Sequence, residues 1–171
     1  MARQLWLLRH AEAEPHGTRP DAERRLTERG EQQALAAGVA LQRLGAAFEA
    51  VLFSPRVRAR KTAELAARAW SEEQRALLRE YTPLSGGFDA EQALAALSGL
   101  SADARVLLVG HEPDLSRVAG ELTGARADVK KGGLAVVRLD GIPAHPAGGE
   151  LVVLVRPREL ALIAGVPLGG E

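Results

Sequence analysis

Leu5-Trp6-Leu7-Leu8-Arg9-His10-Ala11-Glu12 is an apolar run that passes, with no turn residue between, into an arginine and a histidine. Such a run reads as a strand buried on both faces. In an open α/β sheet, ligands bind just beyond the carboxyl ends of the strands, so Arg9 and His10 fall where chemistry is usually done. A histidine that merely closes a strand looks the same locally, and a second stretch has to separate the two. Arg105-Val106-Leu107-Leu108-Val109 is that stretch: it runs into Gly110-His111-Glu112-Pro113-Asp114, with a helix starting directly behind it. Two buried-type strands that each end in a histidine point to joint work for His10 and His111.

The segments between and around these strands complete an α/β pattern. Glu12 to Arg25 has no periodicity and reads as a loop over the strand end, with His16 as a surface histidine. Thr27 caps a helix running to about Leu44, whose apolar stripe is Ala34, Leu35, Gly38, Leu41 and Leu44. Phe48 to Phe53 is a short strand, and Ser54-Pro55 turns it into a helix reaching about Trp70, with Pro55 at the first helical position. A short strand lies within Ala76 to Tyr81, and a helix over Phe88 to Leu100 turns Leu94 and Leu97 inward. Gly133 to Leu139 and Glu150 to Val155 form an antiparallel hairpin whose long loop holds His145. Arg158 to Ala164 adds a turn or two of helix. The expected architecture is a single-domain three-layer sandwich over residues 1–171: a mostly parallel central sheet, helices on both faces, and a C-terminal antiparallel hairpin.

Composition narrows the function. The chain has 171 residues with 22 basic and 22 acidic side chains, so no global field favours nucleic acid or an anionic membrane. Any basic site is local. Cysteine is absent, which excludes disulfides and thiolate chemistry. The opening apolar run is too short for a signal sequence or a membrane span, so a cytoplasmic protein is expected.

The helix after Ser54 carries Arg56, Arg58, Arg60 and Lys61 in its first turns, where the helix dipole disfavours cations. An anion there would relieve the cost. Arg56, Arg60 and Lys61 also read as a solvated basic face paired with Glu64. Arg58 differs, because Thr62 lies four residues on with Ala59, Ala63 and Ala66 nearby, so it projects from the small-residue face that packs on the sheet. Two guanidiniums, Arg9 and Arg58, and two imidazoles, His10 and His111, suit a tetrahedral dianion. They suit a metal poorly, since flanking arginines repel a cation.

These residues carry a resemblance. Leu8-Arg9-His10-Ala11 resembles the Arg-His-Gly signature of the histidine phosphatase (phosphoglycerate-mutase-like) superfamily. Leu26-Thr27-Glu28-Arg29-Gly30-Glu31-Gln32-Gln33-Ala34 is similar to its Leu-Thr-x-x-Gly-x-x-Gln-Ala stretch. Ser54-Pro55-Arg56-Val57-Arg58-Ala59-Arg60-Lys61-Thr62-Ala63 resembles its Ser-Pro-x-x-Arg-Ala-x-x-Thr-Ala block, and Val109-Gly110-His111 its second-histidine motif. Ala11 in place of Gly, the short chain and Gly-His-Glu-Pro look most like the small SixA-type phosphohistidine phosphatases.

The resemblance implies that His10 is the nucleophile and forms a phosphohistidine intermediate. Arg9, Arg58 and His111 would hold the phosphoryl oxygens, with the amide of Glu112 as a further donor. No metal and no cofactor are implied. The chain departs from the larger members in lacking the Asn beyond the first motif. Their acid carboxyl corresponds in order to Glu80, which reads equally as an exposed strand-end carboxylate. Three functions follow. The first is removal of phosphate from phosphohistidine in a protein such as a histidine phosphotransfer domain. The others are hydrolysis or mutase chemistry on a small phosphorylated metabolite, and phosphate binding without turnover. Little chain lies between the Arg58 helix and the second histidine strand, so a lid has little room, which favours the first.

Overall fold

The computed structural model describes residues 2–141 and 148–168, and the expected hairpin loop around His145 lies outside them. One six-stranded sheet, in the order β3-β2-β4-β1-β5-β6, organises them. Its strands are β1 (Arg3–Arg9), β2 (Ala50–Phe53), β3 (Leu78–Glu80), β4 (Arg105–Gly110), β5 (Leu134–Leu139) and β6 (Glu150–Val155). The first four run parallel, and β5 joins β1 antiparallel and continues into β6. The helices are α1 (Glu28–Arg43), α2 (Val57–Ala67), the single turn α3 (Glu72–Arg75), α4 (Ala90–Ala95), α5 (Asp114–Thr123) and α6 (Pro157–Ala164). No helix among the described residues is long and apolar enough to cross a membrane.

The apolar run of β1 divides between two cores, as a strand buried on both faces must. Trp6 and Leu8 pack with α1, α2 and α6, whereas Leu5 and Leu7 face the core under α4 and α5. Leu5, Leu7 and Leu8 are fully buried, each contributing roughly 1.5–3 kcal/mol to folding. The register of β1 on β4 pairs Arg9 with Gly110, so the next residues, His10 and His111, leave the sheet side by side.

Thr27 caps α1 as expected, accepting the amide of Gly30 at 3.0 Å. Leu35 and Leu44, however, are exposed, and Ala36, Ala37 and Ala40 are buried in their place. Close approach rather than bulk sets the buried face of α1. A Cβ on Gly38 would stand 1.9 Å from the Ala66 carbonyl oxygen, and one on Gly30 equally close to that of Glu12. Only small residues let α1 lie this near to α2 and the strand end.

Several boundaries differ from expectation. Helix α2 begins at Val57 after an extended Arg56, because the Ser54 hydroxyl holds the Arg56 amide at 3.2 Å and delays the first turn. It ends at Ala67, and Ser71 caps α3, which periodicity is too short to reveal. The helix expected over 88–100 is confined to α4, with Asp89 and Gln92 closing a capping box.

Candidate active site

Backbone bonds at the parallel strand ends fix the floor of a pocket. The His10 amide donates to Gly110 O at 3.0 Å and the Ser54 amide to Val109 O at 3.0 Å. The chain therefore turns out of β1, β2 and β4 at one level, presenting His10, Ser54 and His111 together. The two imidazole rings have centroids 5.2 Å apart. Arg9, His10, Arg58 and His111 all line this pocket.

The hydrogen bonds assign the protons. His10 Nδ1 lies 2.8 Å from Ala11 O, an atom that only accepts, so Nδ1 carries the hydrogen and Nε2 keeps its lone pair. Arg58 Nε donates to that Nε2 at 3.3 Å. Burial above all, with His111, Arg58 and Arg9 adding to it against the Ala11 bond, pushes the His10 pKa down to about 3. His10 is a neutral base at any ordinary pH.

His111 Nε2 lies 2.7 Å from Ser54 Oγ, which also accepts the Arg56 amide. Ser54 is fully buried, and its O–H is satisfied if it donates to Nε2. That arrangement leaves the hydrogen of His111 on Nδ1, a buried atom with no partner among the described residues. Arg9 Nε is likewise buried without a partner among the described residues, although Arg9 Nη1 reaches Val129 O at 3.1 Å. The site therefore holds two buried unused donors beside one lone pair. Burial, then Arg58 and Arg56, lowers the His111 pKa to about 3 as well.

Arg58 sits where its helix face was expected to put it. Thr62 Oγ1 donates to the Arg58 carbonyl at 2.7 Å and accepts the Ala11 amide at 3.1 Å, tying α2 to the end of β1. The guanidinium spans the pocket. Its Nη1 donates to the carbonyl of Asp21 at 2.7 Å and its Nη2 to Asp21 Oδ2 at 3.2 Å.

The family model for branch 1 of the histidine phosphatase superfamily matches residues 5–84. A solved protein from Nakamurella multipartitia, provisionally assigned as the phosphohistidine phosphatase SixA, is 30% identical with a TM-score of 0.74, covering 92% of this chain and 97% of that one. The chain belongs to the histidine phosphatase superfamily. An uncharacterised protein of Picosynechococcus sp. is 34% identical over 164 residues, 92% of this chain and 98% of that protein. Two further structures share the fold of this histidine phosphatase. They are SixA complexed with tungstate (23% identity, TM-score 0.77, 92% of this chain and 99% of that one) and a provisionally assigned α-ribazole-5′-phosphate phosphatase of Escherichia coli K-12 (21%, 0.72, 92% and 98%).

The pocket also holds residues that the sequence reading placed elsewhere. Arg56, read with a solvated face, lines it and is bonded to Asp21 Oδ2. Arg60 pairs with Glu80 at 3.1 Å instead of Glu64 and lies over the Phe53 ring. Glu80, the acid suggested by order along the chain, is thus an exposed strand-end carboxylate outside the pocket lining. Asp21, Arg24 and the exposed His16 come from the loop before α1, which carries no periodic signal. Ser54 could have been marked by its place in the Ser-Pro block. Glu112 also lines the pocket; its Oε1 caps the amide of Ser116 at 3.1 Å, and burial raises its carboxyl pKa.

Proposed function

We propose that this histidine phosphatase works without a metal, with His10 Nε2 attacking phosphorus and water then hydrolysing the phosphohistidine. The observation that carries the reading is the β1–β4 register, which sets a neutral His10 beside two buried donors that have no partner among the described residues. A phosphoryl group supplies the acceptors that Arg9 Nε and His111 Nδ1 lack. Arg58 and Arg56 add positive charge where the equatorial oxygens develop negative charge. The tungstate complex of the SixA structure is in keeping with an oxyanion in such a pocket.

The leaving group needs a proton unless it departs as a stable anion. Among the described residues, three carboxyls line the pocket: Asp21, Asp114 and Glu112. Asp21 is held ionised by arginines, and Asp114 is bound to the Phe88 amide and Arg117. Glu112 is the group suited to donation. It protonates the leaving atom as the bond to phosphorus breaks, and its carboxylate takes a proton from the attacking water in the second step. The carboxyl is thereby restored.

Phosphohistidine on a protein is the substrate class that the shape of the site favours. The chain between β3 and β4, which could carry a lid, is used by a turn at 82–85 and by α4, which packs on α5. A second reading, hydrolysis of small phosphate esters, draws support from Glu112, since an alkoxide leaves poorly without an acid. A turnover panel in excess chelator separates the two. We expect a phosphohistidine protein to exceed sugar and nucleoside monophosphates in kcat/KM, with no loss on chelation. Preference for one monoester would install the second reading. Activity restored only by added divalent metal would end the metal-independent mechanism.

A further inference from the structure

Asp21 stands in the phosphate site as an anion of the protein's own. Its Oδ2 takes both Arg56 Nη1 and Arg58 Nη2, its Oδ1 lies 3.0 Å from Arg24 Nη2, and His16 Nδ1 is 3.7 Å away. Burial works against ionisation, yet Arg58 and Arg24 hold the carboxyl down at about 2. Three N–H groups of Arg58 are committed, two to Asp21 and the third, on Nε, to His10 Nε2. A phosphoryl group bonded to His10 Nε2 must take over that third contact, and it meets Asp21 on the same guanidinium edge.

We propose that the Asp21 carboxylate is a built-in competitor for phosphate, holding the guanidinium cradle in the empty enzyme, yielding to substrate, and speeding release of product phosphate. The inference rests on the reading of this pocket as the phosphoryl site. Two features separate competition from mere positioning. Arg58 is also held by the Asp21 main-chain carbonyl, which no side-chain substitution removes. The turn around Asp21 is likewise built from main-chain bonds, Glu23 N to Pro20 O at 2.9 Å and Arg24 N to Asp21 O at 3.3 Å. Orientation therefore survives the loss of the charge. The repulsion between a carboxylate and a phosphate dianion does not.

The test is calorimetric titration of inorganic phosphate into wild type, Asp21→Asn and Asp21→Ser, with Arg58→Ala as the control for site occupancy. Removing a like charge a few ångströms from a dianion is expected to tighten phosphate by about tenfold or more in both Asp21 variants. In steady state, KM for a phosphate ester should fall in parallel while kcat does not rise, because product leaves more slowly. Phosphate binding that is unchanged or weaker in both variants overturns the inference and makes Asp21 a positioning residue. Wild-type binding that is indifferent to Arg58→Ala instead refutes the assignment of the pocket, so the two failures are distinct.

Discussion

The floor and the rim of the pocket are built by different means. His10, Ser54 and His111 leave the sheet at parallel strand ends whose main-chain bonds fix their level, and Arg58 is tied to β1 through Thr62. All four are buried. At the rim, Asp21, His16 and Arg56 come from irregular chain and are at least partly exposed, and Asp21 and Arg56 meet as an ion pair. The floor is geometry set by folding, whereas the rim is charge that ligands can rearrange. Substitutions in the floor should therefore act on turnover whatever the substrate, and substitutions at the rim should act selectively.

Among substitutions that keep the nucleophile, Arg58→Lys carries the largest expected effect. A point charge cannot reproduce the planar fork that holds two phosphoryl oxygens, so kcat/KM should fall about 10²- to 10³-fold on every substrate. A loss confined to one substrate class would move Arg58 from floor to rim. Glu112→Gln should lower kcat/KM for an alkyl phosphate about 10²-fold but leave kcat/KM for p-nitrophenyl phosphate within about threefold, since that leaving group needs no acid and kcat/KM reports the step that forms the phosphohistidine. The value of kcat should fall on both, because the water step loses its base. Equal losses in kcat/KM on both would make Glu112 a structural cap of α5. Glu80→Gln, at an exposed ion pair, should change hydrolysis of neither substrate appreciably.

Ser54→Ala sharpens the comparison from inside the floor. It removes the hydroxyl that fixes the His111 tautomer, and a loss of about tenfold in kcat is expected with the strand-end fold retained. An undiminished kcat would show that Nδ1 of His111 is protonated without it.

The two floor histidines also set a pH dependence of stability. Their pKa values are near 3 in the folded chain, against 6.5 for a free histidine. Below pH 6.5 the unfolded chain takes up protons that the folded one refuses. Stability is thus complete above that pH and falls as pH drops toward 3, by about 1.4 kcal/mol per pH unit for each ring. Asp21 titrates below this window. Thermal melting between pH 7.5 and 4.5 should decline in wild type and flatten in the His10→Gln/His111→Gln double variant. Equal slopes would mean that the rings are charged in the native protein.

The difference between floor and rim is also the difference between what was and was not legible in the sequence. Strands buried on both faces write themselves as apolar runs, so β1 and β4, their order in an α/β sheet, and the histidines at their ends could be read directly. Arg58 was legible through its small-residue face and Thr62. Asp21 and Arg24 were not, because their places depend on how an aperiodic loop folds over the strand ends, a matter of tertiary contact. Arg56 was misread for a related reason: its partner, Asp21, is distant in sequence. Glu80 followed from order along the chain, which says nothing about which side of a strand end a carboxylate takes.

The central claim is that His10 Nε2 carries the phosphoryl group during turnover. Mixing enzyme with labelled substrate, quenching in alkaline denaturant, where phosphoramidates survive, and mapping the label by mass spectrometry and phosphorus NMR tests it directly. The expected result is phosphate on His10 through Nε2, absent from a folded and inactive His10→Ala protein. Label on any other residue, attachment through Nδ1, or turnover that persists in His10→Ala would contradict it.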